Sequence, residues 1–354
     1  MFRRSTHAET APATLTTRIA VFVVALLAAP VRSAALSIRF DSKSRPRQKC
    51  APLRKLPGLL FAFLALTAFA TPSASQAPKK LKVYISVDME GIAGVVTADQ
   101  LGPGGFEYER FRKFMTNETL AAVNAAKEAG AGEIVISDSH GNGESLLIDQ
   151  FPKDVKIVRA WPRHGGMMGG LDSTFDAAMF IGYHASTTNP RGVRAHTFSS
   201  AHLARVALNG NAVTEGEFNA AYAGSLGVPV IFASGDDAAT EELRSRLGNI
   251  ETVETKKSLG FHSAETITPE ASCEKIAAGV RSVLARLREF KPYVVKTPVT
   301  LELTFKNYTP AEILSYLRGV TRVDSHTIRF VGKDMQEVDD FVQVVDHYNP
   351  DMTP

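Results

Sequence analysis

The segment KLKVYISVDMEGIAG, residues 80–94, decides the fold. From Leu81 to Val87 it is an almost unbroken apolar run. A strand that is buried on both faces, as in a parallel sheet, has this pattern, whereas a half-exposed strand alternates apolar and polar residues. The segment therefore predicts a central parallel strand that ends at two carboxylates, Asp88 and Glu90.

Three more apolar runs end in polar residues, and predicted helices separate them along the chain. The helices include residues 106–129, 214–224 and 238–247, and residues 197–209 resemble a strand region with a turn. Strands that alternate with helices predict an α/β fold with a mainly parallel sheet flanked by helices. The three strand segments are GEIVISDSHG (132–141), DAAMFIGYHA (176–185) and VPVIFASGDD (228–237).

The C-terminal part repeats the alternation on a smaller scale. Residues 299–305 alternate as a half-buried strand, and a predicted helix, strand and helix follow up to residue 348. We therefore predict a metal-binding α/β catalytic domain over residues 78–296 and a small α/β C-terminal portion over residues 297–354.

Residues 1–77 are predicted to be a leader that is removed or disordered, because they contain a segment typical of a secretory signal. Two basic residues precede an apolar run over 59–70, and Ser75 and Ala77 supply the small residues of a cleavage site. The run is too short for a membrane span of about 20 residues, so we expect no stable span in the mature chain. We expect an exported protein, periplasmic or secreted, or a cytoplasmic one if the leader is not functional.

Charge and cysteine content exclude several classes of function. The leader holds 11 of the 40 Lys and Arg residues but only two of the 37 acids, so the rest of the chain is mildly acidic. That balance argues against nucleic acid as a partner, since phosphate binding needs clustered basic residues. Only Cys273 follows the leader, so any metal site must be built from His, Asp and Glu.

Polar side chains collect where the predicted strands end. Asp88 and Glu90 follow the first strand, and His140 and His184 follow two others. Ligands of parallel α/β sheets bind at this edge, and imidazole with carboxylate suits Zn²⁺, Mn²⁺ or Co²⁺. Taken singly, each residue also fits a solvated acid or a satisfied core histidine.

Acids at predicted helix starts have a second interpretation. Glu215 and Glu217 open one helix, and Asp236 and Asp237 open another. Carboxylates favour helix N-termini, so all four also fit a capping role. His164 lies in a glycine-rich stretch that could form a lid, whereas the remaining histidines (His202, His262, His326 and His347) have nothing convergent around them.

Five short motifs together resemble the binuclear-zinc D-aminopeptidases, the type found in dipeptide-transport operons. The resemblance extends from about residue 81 to the C-terminal tail, and the first motif with its two downstream histidine motifs is specific. The motifs are SVDMEG (86–91), SDSHG (137–141), GLD (170–172), GYHA (182–185) and SGDD (234–237).

The resemblance implies two Zn²⁺ ions per chain and a non-ligand catalytic histidine, His196. It also implies that Asp88 bridges the metals, and it leaves Glu217 as the alternative to Glu215. The five implied zinc ligands are Asp88, Glu90, His140, His184 and Glu215.

The function that the resemblance implies is hydrolysis of short peptides with an N-terminal D-residue, such as D-Ala-D-Ala, by a metal-activated water. It also implies a homo-oligomer, a decamer of stacked five-membered rings. The alternatives are another metal-dependent amidohydrolase, an L-specific dipeptidase, and a non-catalytic peptide-binding module. Five intact ligand positions speak against the last of these.

Overall fold

The computed structural model describes residues 80–348 of the chain. The predicted leader lies outside this range. Within it, no helix combines the length and the apolar character that crossing a membrane requires. The strands are β1 (Leu81–Val87), β2 (Ala131–Asp138), β3 (Lys156–Val158), β4 (Ala177–Tyr183), β5 (Leu203–Leu208), β6 (Asn211–Ala212), β7 (Val230–Asp236), β8 (Glu251–Gly260), β9 (Ser263–Thr266), β10 (Val299–Phe305), β11 (Val320–Arg322) and β12 (Thr327–Gly332).

Helices follow β1, β6, β7, β9, β10 and β12, and several begin at a side-chain cap. Thr214, Thr268 and Asp334 each accept a hydrogen bond from a backbone N–H in the first turn of the helix that follows. Such caps satisfy N–H groups that have no partner within the helix. The helices are α1 (Tyr108–Glu128), α2 (Glu215–Ser225), α3 (Asp237–Leu247), α4 (Pro269–Ala285), α5 (Tyr308–Leu314) and α6 (Met335–His347).

The large sheet has the strand order β3-β2-β1-β4-β7-β8-β9. Every neighbouring pair is parallel except β8 with β9, which is antiparallel. The predicted α/β class with a mainly parallel sheet is therefore confirmed. Because β2, β1 and β4 are neighbours, the polar residues after these three strands meet at one edge.

The apolar run of β1 is continuous because both faces of the large sheet are covered. Val83, Ile85 and Val87 pack with α1 and α4 in one core cluster. Tyr84 faces the other way, into a second cluster that includes α2 and the inner side of a smaller sheet. Successive side chains of a strand point to opposite faces, so one strand serves both cores.

The smaller sheet is antiparallel, with the order β11-β12-β10-β5-β6, and the sequence did not predict it. Its middle strand β10 pairs with β5, so the segment from residue 297 shares a sheet with residues 203–212. The strand β10 alternates as expected, with its apolar residues buried. The domain division at residue 296 stays a prediction.

Two further details differ from expectation. Within the predicted strand region 197–209, the strand begins only at Leu203. The residues before it form an irregular segment, and its backbone hydrogen bonds are made outside the sheet. The sequence did not predict the hairpin of β8 and β9. The strand β8 contains Glu, Lys and Thr with few apolar residues, so it lacks the apolar pattern by which a strand is recognised.

Candidate metal centre

Five titratable side chains converge at the carboxyl edge of the large sheet. Asp88 and Glu90 follow β1, His140 follows β2 and His184 follows β4. Glu215, the first residue of α2, joins them from above the sheet. Each of the five is at most 5% exposed to solvent. Burial of three carboxylates is costly unless positive charge accompanies them, so the cluster needs cations.

The carboxylate of Asp88 lies between two groups of these residues. Its Oδ1 is 3.2 Å from His140 Nδ1, and that nitrogen is 2.9 Å from Glu90 Oε2. Its Oδ2 is 3.2 Å from His184 Nε2, which is 3.3 Å from Glu215 Oε2. The two oxygens of one carboxylate therefore face two different histidines.

Backbone carbonyls set the tautomers of both histidines. His140 Nε2 lies 2.7 Å from the carbonyl oxygen of Leu101, and His184 Nδ1 lies 3.1 Å from that of Ala185. A carbonyl oxygen only accepts, so these ring nitrogens carry the protons in the neutral rings. The nitrogens that face the carboxylates, Nδ1 of His140 and Nε2 of His184, then present lone pairs, as metal-ligating histidines do.

This arrangement fits a bound metal. Asp88 Oδ2 and His184 Nε2 are both fully buried, and neither has a hydrogen-bond partner within residues 80–348. Two acceptors that face each other at 3.2 Å need a cation between them or a proton on the nitrogen. Nitrogen and carboxylate oxygen together are the donors that zinc prefers.

The charges of the metal-free cluster lead to the same conclusion. Burial acts to lower the pKa of His140, but Glu90 and Asp88 raise it well above its usual value. Burial likewise opposes a charge on His184, yet Glu215 and Asp88 raise its pKa well above the ordinary range. Without a metal, protons therefore neutralise the carboxylates, and a metal ion would displace them.

His196 lies beside these five residues, and with His184 and Glu215 it forms one of the groups that could hold a metal. Its ring stacks on that of His184, with 4.0 Å between the centroids, and its Nε2 is 3.7 Å from Glu215 Oε1. Its Nδ1 is 2.7 Å from the carbonyl oxygen of Arg194, so Nε2 is the free nitrogen of the neutral ring. The side chain keeps 12% of its surface exposed, so a substrate can reach it.

The strained backbone of Phe198 directs its N–H group toward the cluster. Phe198 has a left-handed backbone with φ of 62°, which costs free energy for a residue with a side chain. Its N–H donates to Glu215 Oε1 over 2.6 Å. The irregular segment before β5 therefore positions a candidate ligand, and no periodic pattern in the sequence shows this role.

The structure separates Glu215 from its alternative. Glu217 faces away from the cluster, where it accepts a hydrogen bond from Tyr293 Oη at 2.8 Å and lies 3.6 Å from Arg246. Of the two acids that open α3, Asp236 caps the helix through Ala239 N, as the capping interpretation predicts.

The remaining histidine of interest, His164, is not in the cluster. Its side chain is 96% exposed and pairs with Asp340 of α6 at 2.7 Å. His347, which the sequence leaves without a role, lies on the wall of the cavity in front of the cluster.

A buried network that the sequence did not predict holds the loop after β1. Lys256 of β8 is 3% exposed and donates to the carbonyl oxygens of Glu90 and Ile92. Gly91 approaches β4 so closely that an added Cβ would lie 2.1 Å from the carbonyl oxygen of Tyr183. These contacts fix the backbone that carries Glu90, and nothing in the local sequence around Lys256 marks it for this task.

A cavity of about 160 Å³ opens in front of the cluster. Candidate ligands form its floor, and His196 lies at its side. Its other walls are partly apolar and partly polar, and the polar part comes from Ser139 and the end of α6. The residues of these walls are Ser139, Gly141, Trp161, Met167, Phe198, Val342, Gln343, Asp346 and His347.

Comparisons with known proteins identify relatives of this chain. A family model described as D-aminopeptidase, peptidase M55, matches residues 81–344. A D-aminopeptidase of Bacillus subtilis (strain 168) is 30% identical over 260 residues, which cover 73% of this chain and 93% of that protein. The solved Zn-dependent D-aminopeptidase DppA from Bacillus subtilis, described as a self-compartmentalizing protease, is 29% identical with a TM-score of 0.72. It aligns with 75% of this chain and 96% of its own.

Proposed function

The chain belongs to the D-aminopeptidase family, and we propose that it is a zinc-dependent metallopeptidase that hydrolyses short peptides with an N-terminal D-residue, such as D-Ala-D-Ala. The observation that carries this function is the buried pair of acceptors, Asp88 Oδ2 and His184 Nε2, within a ring of further carboxylates and imidazole. Such a site has the donor set of a zinc centre and faces a cavity that a small substrate can enter.

We propose that the centre holds two zinc ions. The five residues that would hold them are Asp88, Glu90, His140, His184 and Glu215. The two oxygens of Asp88 face different histidines, which supports a carboxylate shared between two metals. Bound zinc polarises a peptide carbonyl and lowers the pKa of a water molecule to about 7, which supplies a nucleophile at neutral pH.

The residues of the chain would orient the substrate and move protons around this centre. Because the carbonyl of Arg194 holds the Nδ1 proton of His196, Nε2 is the atom that accepts a proton and passes it to the leaving amine. Trp161 and Phe198 cover part of the cavity and would exclude water from the reacting bond.

We further propose that the chain assembles into a homo-oligomer, a decamer by its resemblance to the family. The similar Bacillus subtilis enzyme is described as self-compartmentalizing. Large apolar side chains on the outside of the small-sheet region, such as Ile313, Tyr316 and Val344, are each more than half exposed, which supports burial against another subunit. Light scattering of the purified protein would measure the assembly directly.

For location, we propose export to the periplasm or medium, on the strength of the signal-like segment within residues 1–77. Cell fractionation of the native producer, followed by N-terminal sequencing of the mature protein, tests this. Recovery in the cytoplasm with an intact leader would contradict it.

The first experiment measures bound metal by elemental analysis and assays the same sample with D-Ala-D-Ala and with L-Ala-L-Ala. We expect about two zinc ions per chain and release of alanine from the D-peptide alone. Zinc with cleavage of the L-peptide alone would redirect the assignment to an L-specific dipeptidase. Absence of metal after reconstitution with zinc would refute the metal centre itself.

A further inference from the structure

Carboxylates and histidines line the cavity in front of the candidate metal centre. Among the described residues that line it, four carry carboxylates and none is lysine or arginine. Three of the four, Asp88, Glu90 and Glu215, are candidate zinc ligands. The fourth, Asp346, is contributed by α6 and belongs to neither group of residues that could hold a metal.

Among the described residues, Asp346 forms no ion pair with lysine or arginine. Its Oδ2 lies 3.6 Å from Nδ1 of its neighbour His347. That distance is longer than a hydrogen bond. Its side chain is 28% exposed, so the carboxylate is reachable from the cavity and yet partly shielded from bulk water.

The position of Asp346 on its helix adds to the negative potential. It lies in the last turn of α6, which ends at His347. The final carbonyl groups of a helix lack partners within it and give that end a partial negative charge. A cation at this end of the cavity is therefore favoured by both the carboxylate and the helix.

The substrate of an aminopeptidase carries an amino group one carbon from the scissile carbonyl, and the charged form of that group would lie near the proposed metal ions. A carboxylate outside the ligand set and beside the ammonium group would offset part of the repulsion between like charges. We propose that Asp346 binds the N-terminal ammonium group of the peptide substrate, an inference that rests on the proposed function.

The apolar wall beside Asp346 completes the subsite. Trp161, Phe198 and Val342 line the same cavity and leave an apolar surface for the small side chain of the first residue. No lysine or arginine lies among the described lining residues. Asp346 and the apolar wall therefore form a subsite for the amino end of a peptide.

The test compares two zinc-binding probes that differ only in the ammonium group, D-alanine hydroxamic acid and propionohydroxamic acid. Their dissociation constants are measured by calorimetry on the zinc-loaded wild-type protein and on Asp346→Asn. We expect the variant to bind the first probe about 10- to 100-fold more weakly, as for loss of a charged hydrogen bond, and the second unchanged. Its zinc content should equal that of the wild type, and KM for D-Ala-D-Ala should rise.

Asp340→Asn is the matched control. It removes the same charge from the same helix, but Asp340 pairs with His164 outside this cavity. It should leave the affinity of both probes unchanged.

Three results would overturn the inference. Equal weakening of both probes by Asp346→Asn would mean that the residue shapes the cavity, and no change in either would place the ammonium elsewhere. A wild-type protein that holds no zinc or binds neither hydroxamate would refute the proposed function, and the inference with it. This last outcome is recognised before any variant is made.

Discussion

Replacement of Glu118 by glutamine tests the free-energy cost of ionising a buried carboxyl group on α1. Glu118 is fully buried, and its Oε1 accepts a hydrogen bond from Ala93 N at 3.0 Å. Its Oε2 is buried without a hydrogen-bond partner within residues 80–348. Burial raises the pKa of this carboxyl from 4.5 to about 7. The ionised form is therefore disfavoured in the folded protein.

The sign of the effect follows from proton binding. Between pH 4.5 and about 7 the folded protein holds a proton on Glu118 that the unfolded chain has lost. Stability from this group is therefore fully present below pH 4.5 and is lost as the pH rises through about 7. Each pKa unit corresponds to about 1.4 kcal/mol, so the shift corresponds to a loss of up to about 3 kcal/mol.

Glu118→Gln removes the ionisation and keeps an oxygen that can accept from Ala93 N. We expect the stability of the variant relative to wild type to increase by up to about 3 kcal/mol between pH 4.5 and pH 8. Urea unfolding followed by circular dichroism measures this. The zinc-free protein is used, so that pH-dependent metal binding does not contribute.

Glu128→Gln on the same helix is the control. The Glu128 side chain is 61% exposed, and its substitution should leave the pH dependence of stability as in the wild type. If the free energies of unfolding of Glu118→Gln and the wild type instead change in parallel across the whole pH range, the buried carboxyl group ionises without a free-energy cost. The reasoning from burial would then be refuted.

Three substitutions test the centre itself. Asp88→Ala should abolish both zinc binding and activity, because the centre loses the carboxylate that faces both His140 and His184; a fully metallated variant would argue against a ligand role. His196→Ala should retain zinc but lower kcat about 10²- to 10⁴-fold, the usual contribution of a general acid or base, whereas equal loss of zinc would assign it to the ligands. Gly91→Ala should destabilise the protein by about 1–3 kcal/mol in urea unfolding, because the added methyl group overlaps the Tyr183 carbonyl; wild-type stability would mean that the loop can move.

The sequence by itself determined the features that depend on local pattern. The apolar run of β1 required a strand buried on both faces, and the structure places it inside the large sheet, between β2 and β4. Polar residues directly after strands had to lie at one edge, which is where Asp88, His140 and His184 converge. The motifs around them carried the family resemblance, which the comparisons confirm.

Tertiary structure decided whatever depends on contacts between distant segments. The sequence left Glu215 and Glu217 as alternatives, because residues two apart at a helix start have similar local surroundings. Only packing against His184 distinguishes them.

The same holds for residues with no local signature. Lys256 is an ordinary lysine in the sequence and becomes a buried support only because β8 passes beneath the loop after β1. Asp346 lies more than 100 residues beyond the last candidate ligand, and it reaches the cavity because α6 packs against α2, β10 and β12. Hydrophobic periodicity shows which face of a helix or strand is buried. Which other element packs against that face depends on the tertiary structure.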